Sequence, residues 1–182
     1  HLSALYQECV FDKNLIKIIK LGPFNHQIDQ GLDLRKSAFE CLDTVLDALR
    51  DRIDAAKFVP QVALGLADPN PDIKQLSHLL VGKVANFFAE DVAQFYDALL
   101  SPAKATLTEK QKENLVQQEQ ERQDELFRST LKAVYVLSKL KGIEDSAEFQ
   151  EINTKIAPQN AKFKQWFQQI KDQDEEQGVP QN

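Results

Sequence analysis

Apolar residues recur at helical spacing along most of the chain. From Leu34 they fall at i, i+4, i+7 and i+8, which is typical of a helix with one apolar face. The members of this stripe are Leu34, Ala38, Cys41, Leu42, Val45, Leu46 and Leu49. Asp33 stands directly before it as the expected N-cap. A second helix is predicted from about Asp54, in which Pro60 indicates either a kink or a later start.

The next stretch of chain repeats this arrangement. Two further helices are predicted, the first with Ile73, Leu76, Leu80, Val84 and Phe87 on its apolar face and the second with Val92, Phe95, Tyr96, Leu99 and Leu100. The segment from Asp33 to Lys36 aligns with the segment from Asp72 to Gln75 at an offset of 39 residues. HEAT repeats have a period of about 40 to 47 residues. We therefore predict an all-α fold, a HEAT-repeat α-solenoid of stacked helix pairs.

The remainder of the chain is also predicted to be helical. A long helix is expected from Glu109, polar as far as Glu125 and apolar from Leu126 onward. Two short helices, about 146–157 and 160–171, would close a domain of residues 1–172, with Trp166 covering the core. Residues 173–182 are acidic and aperiodic, so a disordered tail is expected. A helical start without Met and this tail suggest the last piece of a longer polypeptide.

One segment, between Asn14 and Asp29, breaks the helical period. A β-branched run from Leu15 to Leu21, the turn signal Gly22-Pro23 and a second run ending at Asp29 predict a β-hairpin over about residues 15–30. It could be a connection folded onto the helices, with Ile16, Ile18 and Phe24 packed down. It could instead project, with Phe24 as an aromatic anchor for a partner. Nearby Lys13, Lys17 and Lys20 would then favour a partner with an acidic rim.

Composition and motifs exclude several function classes. With 22 Lys and Arg against 28 Asp and Glu, the net charge is −6, which argues against binding along a phosphate backbone. Apolar stretches are too short to span a membrane. Cys9 and Cys41 lack CxxC spacing, so two buried small residues in a reducing compartment are expected, and one disulfide remains an alternative. No metal-ligand spacing or catalytic motif is found. We predict a binding module without cofactor, metal or catalytic residues, and without nucleic-acid or membrane partners.

The hairpin and the helix after it carry a family resemblance. Residues 20–41 (KLGPFNHQIDQGLDLRKSAFEC) closely resemble part of the C-terminal, TATA-binding-protein-interacting domain of the cullin-associated, neddylation-dissociated protein family. Segments 4–8, 117–119 and 123–129 are similar to the same family, so the resemblance covers roughly residues 2–172. Asn25 and Gln27 depart from the Lys and Thr expected there, and Pro60 lies in a helix expected to be free of proline.

The resemblance implies a HEAT-repeat end that holds the N-terminal region of an unneddylated cullin. The hairpin would occupy the cullin surface used by the Skp-type adaptor and substrate receptor. The implied role is assembly and receptor exchange of cullin-RING (SCF) ubiquitin ligases, in cytoplasm and nucleus, without enzymatic activity. The implied cullin-binding residues are Lys17, Ile18, Lys20, Gly22, Pro23, Phe24, Asn25, His26, Gln27, Ile28 and Asp29. The alternative is a generic HEAT-repeat scaffold for another assembly, such as transcription or transport.

Overall fold

Helices dominate the computed structural model, which describes residues 2–110 and 115–178. The helices are α1 (Leu2–Glu8), α2 (Leu32–Leu49), α3 (Ala55–Leu66), α4 (Pro71–Phe87), α5 (Ala89–Val92), α6 (Tyr96–Thr108), α7 (Gln117–Ser138), α8 (Ala147–Glu151), α9 (Ala157–Gln159) and α10 (Ala161–Gly178). A π-helical turn, Ile152–Ile156, joins α8 to α9. The strands β1 (Ile16–Leu21) and β2 (Phe24–Asp29) form an antiparallel hairpin. The predicted helical fold with an inserted hairpin is thereby confirmed.

The helices pack in two layers. In one layer α2 packs against α4, α4 against α7, and α7 against α10. In the other layer α3 packs against α6 and α6 against α8, while contacts of α3 with α4 and of α6 with α7 join the layers. Helices α2 and α4 begin 39 residues apart, at Leu32 and Pro71, which matches the offset found in the sequence.

The core lies between these layers and is built from large apolar side chains. The largest fully buried ones are Phe39, Phe58, Phe127, Leu42, Leu46, Ile73, Leu80, Leu99, Leu100, Leu131, Leu137 and Ile152. Gly65 marks a close approach of α3 to both α2 and α4. A Cβ there would lie 2.5 Å from a ring carbon of Phe39 and 2.0 Å from Ser77 Oγ. Trp166 is buried in the same core, as predicted, with the Arg128 guanidinium 4.8 Å from its ring centre.

The buried face of helix α2 differs from the predicted apolar stripe. Its buried residues are Arg35, Ala38, Phe39, Leu42 and Leu46, whereas Leu34, Cys41 and Leu49 are exposed. The reason is that Phe39, omitted from the predicted stripe, takes the core side of the helix. The prediction of two buried cysteines is therefore wrong for Cys41, although Cys9 is buried, and both thiols are free.

Two predicted helix starts are wrong. Helix α2 begins at Leu32, so Gly31 is the N-cap and Asp33 lies within the first turn. The helix predicted from Glu109 begins at Gln117, because Glu109 has an extended backbone that ends α6. Residues 111–114 of that prediction lie outside the described residues. The polar first half of α7 is largely exposed, and Gln117 bonds Glu121 one turn ahead, as a solvated face requires.

Two further predictions concern Pro60 and the C-terminal tail. Helix α3 begins at Ala55 and contains Pro60, so the proposed later start is wrong. Helix α10 continues to Gly178, so the tail expected to be disordered from residue 173 is helical as far as residue 178. Its Asp174 accepts a hydrogen bond from Tyr135 Oη at 3.2 Å and pairs with Lys139, which holds this turn against α7. Residues 179–182 of the predicted tail lie outside the described residues.

Candidate functional site

The hairpin closes through a two-residue turn, Gly22-Pro23. Gly22 has a φ of 61°, a conformation that residues with a Cβ rarely adopt. Proline fixes the next φ near −65°, which excludes a type I′ turn and fits a type II′ turn. This turn matches the right-handed twist of the strands and pairs Leu21 directly with Phe24. The Gly-Pro signal in the sequence is thus the turn itself.

The strand register sorts the hairpin side chains onto two faces. Pairs across the strands are Leu21 with Phe24, Ile19 with His26, and Lys17 with Ile28, and because side chains alternate along a strand these six share one face. We call this set the apolar face. The opposite face carries Ile16, Ile18, Lys20, Asn25, Gln27 and Asp29. The predicted contacts Phe24 and Ile28 therefore lie together, while Ile18 lies on the other side.

The hairpin projects from the helices. All residues of both strands are exposed or half-buried. Phe24 is 68% exposed, Leu21 60% and Ile18 61%. The alternative in which Ile16, Ile18 and Phe24 pack down onto the helices is therefore wrong for Ile18 and Phe24, whereas Ile16 is half-buried. Large apolar side chains grouped at this exposure on a protein surface are typical of interaction sites. The projecting interpretation of the hairpin is the one that agrees with the structure.

Apart from Asp29 at its base, the charged residues of the hairpin strands are the exposed Lys17 and Lys20. Within residues 2–110 and 115–178, neither Lys17 nor Lys20 pairs with a carboxylate. Lys17 belongs to the apolar face and pairs with Ile28 near the base, whereas Lys20 lies on the opposite face and pairs with Asn25. His26 lies on the apolar face, opposite Ile19. A complementary surface would be apolar at its centre and acidic at its edge.

The base of the hairpin is fixed by a buried ionic cluster. The Arg35 guanidinium donates from Nη2 to Asp29 Oδ2 at 2.8 Å and from Nε to Asp68 Oδ2 at 2.9 Å. The side chains of Arg35 and Asp68 are 3% and 2% exposed, and that of Asp29 is 16% exposed. We call these three residues the base cluster. It joins the end of β2, the first turn of α2 and the connection between α3 and α4.

Electrostatics favour the ionised forms of Asp29 and Arg35. The hydrogen bond from Arg35 lowers the pKa of Asp29 below its ordinary value, against the opposing effect of burial. Burial alone would lower the pKa of Arg35, but its hydrogen bonds to Asp29 and Asp68 outweigh this effect and raise it. Asp29, predicted as a partner contact, is thus already engaged within the chain.

Other contacts complete the base. The Arg35 guanidinium lies 5.1 Å from the ring centre of Phe11, and Gln30 N donates to the Leu15 carbonyl at 3.0 Å. Gly31 N donates to Asp29 Oδ1 at 3.0 Å, and a Cβ on Gly31 would lie 2.8 Å from Leu15 Cδ1. The entry and exit of the hairpin therefore meet the helices at Arg35.

The prediction from the sequence omits four residues of this site, namely Ile19, Leu21, Arg35 and Asp68. Ile19 and Leu21 belong to the apolar face, and counting outward from a two-residue turn would have paired Leu21 with Phe24. Arg35 lies on the buried stripe of α2, at helical spacing with Ala38 and Phe39. A charged residue within an apolar stripe is the signal that would have marked it.

Among the described residues, no group of three or more His, Cys, Asp or Glu side chains is arranged to hold a metal ion. In the same part of the chain, no helix has the length and apolar character that crossing a membrane requires.

The two helical layers and the projecting hairpin define a helical scaffold with an exposed hairpin. The chain belongs to the family whose model is described as "TATA-binding protein interacting (TIP20)", which matches residues 1–171. The resemblance found in the sequence is confirmed, since the chain matches the C-terminal domain of the cullin-associated NEDD8-dissociated proteins.

Curated relatives agree with this assignment. The chain is 42% identical over 139 residues to Cullin-associated NEDD8-dissociated protein 1 of Drosophila melanogaster, covering 76% of this chain and 11% of the relative. It is 37% identical over 150 residues to the Arabidopsis thaliana protein of the same name, covering 82% and 12%. Cullin-associated NEDD8-dissociated protein 2 of Rattus norvegicus is 37% identical over 155 residues, covering 85% and 12%. The chain thus spans about one eighth of the length of these relatives.

Proposed function

We propose that this chain is a HEAT-type helical module that binds the N-terminal region of an unneddylated cullin. Family membership and the printed names of the relatives, which are cullin-associated proteins, support a cullin as the partner. The 39-residue offset between α2 and α4 and the packing of successive helix pairs support the HEAT assignment. In this proposal the chain acts by binding a partner and not by catalysis.

The apolar face of the hairpin is the proposed docking surface. The observation that carries this proposal is the exposure of Phe24 beside Leu21 on a tight, proline-restricted turn. Aromatic side chains lose little conformational entropy on binding and often dominate interface energies. Lys17, near the base of this face, supports an acidic edge on the cullin surface.

Docking at this surface would compete with the Skp-type adaptor and its substrate receptor. If the two ligands share part of the cullin surface, each weakens the binding of the other by the same factor. A short-lived ternary complex would then let the hairpin accelerate adaptor release, and let an arriving adaptor displace the hairpin. This chain would regulate assembly and receptor exchange of cullin-RING ubiquitin ligases in this way.

The test is a binding titration of the wild-type chain and of Phe24→Ala with an unneddylated cullin N-terminal region, with and without saturating adaptor. Removal of the Phe24 ring is expected to weaken binding by about 1–3 kcal/mol, or about 5- to 150-fold in Kd. Leu79→Ala is the matched control, because Leu79 is 66% exposed on α4, away from the hairpin. Ile18→Ala tests the opposite face of the hairpin.

The variants separate the possible outcomes. Weakening by Phe24→Ala with little effect of Leu79→Ala and Ile18→Ala, together with competition by the adaptor, supports docking through the apolar face. Equal binding by wild type and Phe24→Ala in the presence of adaptor would exclude the hairpin as the competing element. A larger loss with Ile18→Ala than with Phe24→Ala would assign docking to the other face.

A second candidate is a scaffold for another assembly, such as transcription or transport. The family description, which names interaction with a TATA-binding protein, favours transcription within this class. Deletion of residues 16–29 separates the two candidates in a pull-down with both partners. If the chain is a scaffold of this second kind, it still retains the TATA-binding protein after deletion of residues 16–29. If it is the cullin-binding module, the deleted chain no longer competes with the adaptor for the cullin.

A further inference from the structure

The direction in which the hairpin points depends on how firmly its base is attached to the helices. A strand rises about 3.4 Å per residue, so six residues carry the tip about 20 Å from the base. A tilt of about 10° at the base would displace Phe24 by about 3.5 Å, which exceeds the tolerance of a packed interface. Docking through the apolar face therefore requires that something fix the direction of the hairpin.

Packing of the hairpin itself is too weak to fix that direction. The strands are exposed or half-buried along their whole length, and their most extensive contacts are with each other. The well-buried polar contacts lie at the base, where Arg35 bonds Asp29 of β2 and Asp68 of the connection between α3 and α4. Phe11, on the entry side of the hairpin, stacks against the same guanidinium.

We propose that Arg35 is a positioning residue that sets the direction of the hairpin relative to the helices. Its planar guanidinium forms hydrogen bonds with two carboxylates from different parts of the chain, which fixes their relative orientation as well as their distance. Asp68 is held in turn, because its Oδ1 accepts a hydrogen bond from Asn70 N at 2.8 Å. The proposal rests on the proposed function where it assigns docking to the hairpin.

This arrangement has a consequence for affinity. If only a fraction of the molecules hold the hairpin in the direction that the partner accepts, the observed Kd rises by the inverse of that fraction. Loss of the bond between Arg35 and Asp29, with a fall of the competent fraction to about one tenth, would raise Kd about tenfold. The effect would require no contact between Arg35 and the partner.

Asp29→Asn is the test variant. It keeps the shape of the side chain and removes the charge that Arg35 binds, whereas removal of Arg35 itself would leave two carboxylates unpaired and could unfold the chain. Asp47→Asn is the matched control. Asp47 pairs with Lys83 at 2.6 Å, so it also forms an ion pair between α2 and another part of the chain, but one that does not involve the hairpin.

The first measurement uses the free chain and needs no partner. Nitroxide labels are placed at Asn25→Cys, on the face opposite Phe24, and at Thr44→Cys on α2, in a Cys41→Ser background. Pulsed electron paramagnetic resonance then gives the distribution of distances between hairpin and helix. The proposal is supported if the distance distribution is narrow in the labelled chain with an unchanged base cluster and in its Asp47→Asn variant, but broader in its Asp29→Asn variant. An equally narrow distribution in Asp29→Asn overturns it.

The second measurement is a double-mutant cycle in cullin binding, with Asp29→Asn and Phe24→Ala. If Arg35 acts by directing the apolar face, Asp29→Asn weakens binding about tenfold alone and has little effect once Phe24 is removed. Additive losses, or an unchanged Kd despite a broadened distance distribution, overturn the link to docking. If the wild-type chain binds no cullin while the distances broaden, the proposed function fails and the orienting role of Arg35 stands.

Discussion

His78 gives the fold a measurable dependence on pH. It lies on α4 and is 7% exposed, with Nδ1 2.5 Å from Ser129 Oγ on α7. Burial, aided by the positive charge of Lys74, lowers the pKa of His78 from its ordinary value of 6.5 to about 3. The folded chain therefore keeps this imidazole neutral at pH values where the unfolded chain protonates it.

The size and sign of the effect follow from proton linkage. Between pH 6.5 and about pH 3 the unfolded state binds one proton more than the folded state, so the free energy of unfolding falls as the pH falls. The slope is about 1.4 kcal/mol per pH unit in this window. Lowering the pH from 7 to 5 should therefore lower the free energy of unfolding by about 2 kcal/mol, because His78 takes up a proton in the unfolded state only. Above pH 6.5 both states are neutral and the contribution vanishes.

Urea unfolding, followed by circular dichroism at pH 7 and pH 5, tests this for the wild type and His78→Gln. The variant removes the titrating group, and the carboxylates titrate alike in both proteins. We expect the wild type to lose about 2 kcal/mol more than the variant between the two pH values. Packing differences at pH 7 cancel, because only the change with pH is compared. An identical loss in both proteins would refute a buried, neutral His78.

Two further predictions concern packing and thiol access. Gly65→Ala should destabilise the chain by about 1–3 kcal/mol, since its Cβ would meet the buried ring of Phe39. Gly82→Ala on α4, where a Cβ has open space, should instead stabilise the chain by up to about 1 kcal/mol. Thermal unfolding of both variants checks this contrast, and equal shifts of the unfolding temperature would contradict it. A thiol reagent at pH 8 should modify one exposed cysteine, Cys41, at once, and Cys9 only on unfolding, because burial raises the pKa of Cys9 to about 12. Mass spectrometry counts the labels, and rapid double labelling would contradict this assignment.

Local signals in the sequence account for the parts of the fold that were predicted. The helix predicted with Ile73 on its apolar face is α4, and its start is determined locally, because Asn70 is its N-cap and Pro71 lies in its first turn. The hairpin follows from Gly22-Pro23, where glycine permits a positive φ and proline restricts the next residue. Because these causes are local, sequence alone specifies them.

Other parts depend on contacts between distant segments. Asp68 lies 33 residues after Arg35, and no spacing rule relates them, so the base cluster becomes visible only when α3 and α4 pack against α2. The stripe on α2 was misjudged for the same reason, since Phe39 faces the core through contacts with α3. The start of α7 was placed too early because a polar helical composition continues through residues whose backbone is extended, such as Glu109.

The base cluster also determines the order in which the recognition element becomes ready during synthesis. A hairpin forms in about 1–10 μs once its two strands have left the ribosome. Asp68 follows Asp29 by 39 residues, which at about 5–20 residues per second means a delay of about 2–8 s. During that interval the two strands can pair, but the base cluster that fixes the direction of the hairpin is incomplete. A nascent chain stalled before Asp68 would expose Phe24 and Leu21 on a hairpin whose direction relative to the helices is not fixed. The direction of the hairpin becomes fixed only after synthesis has reached the second helix pair.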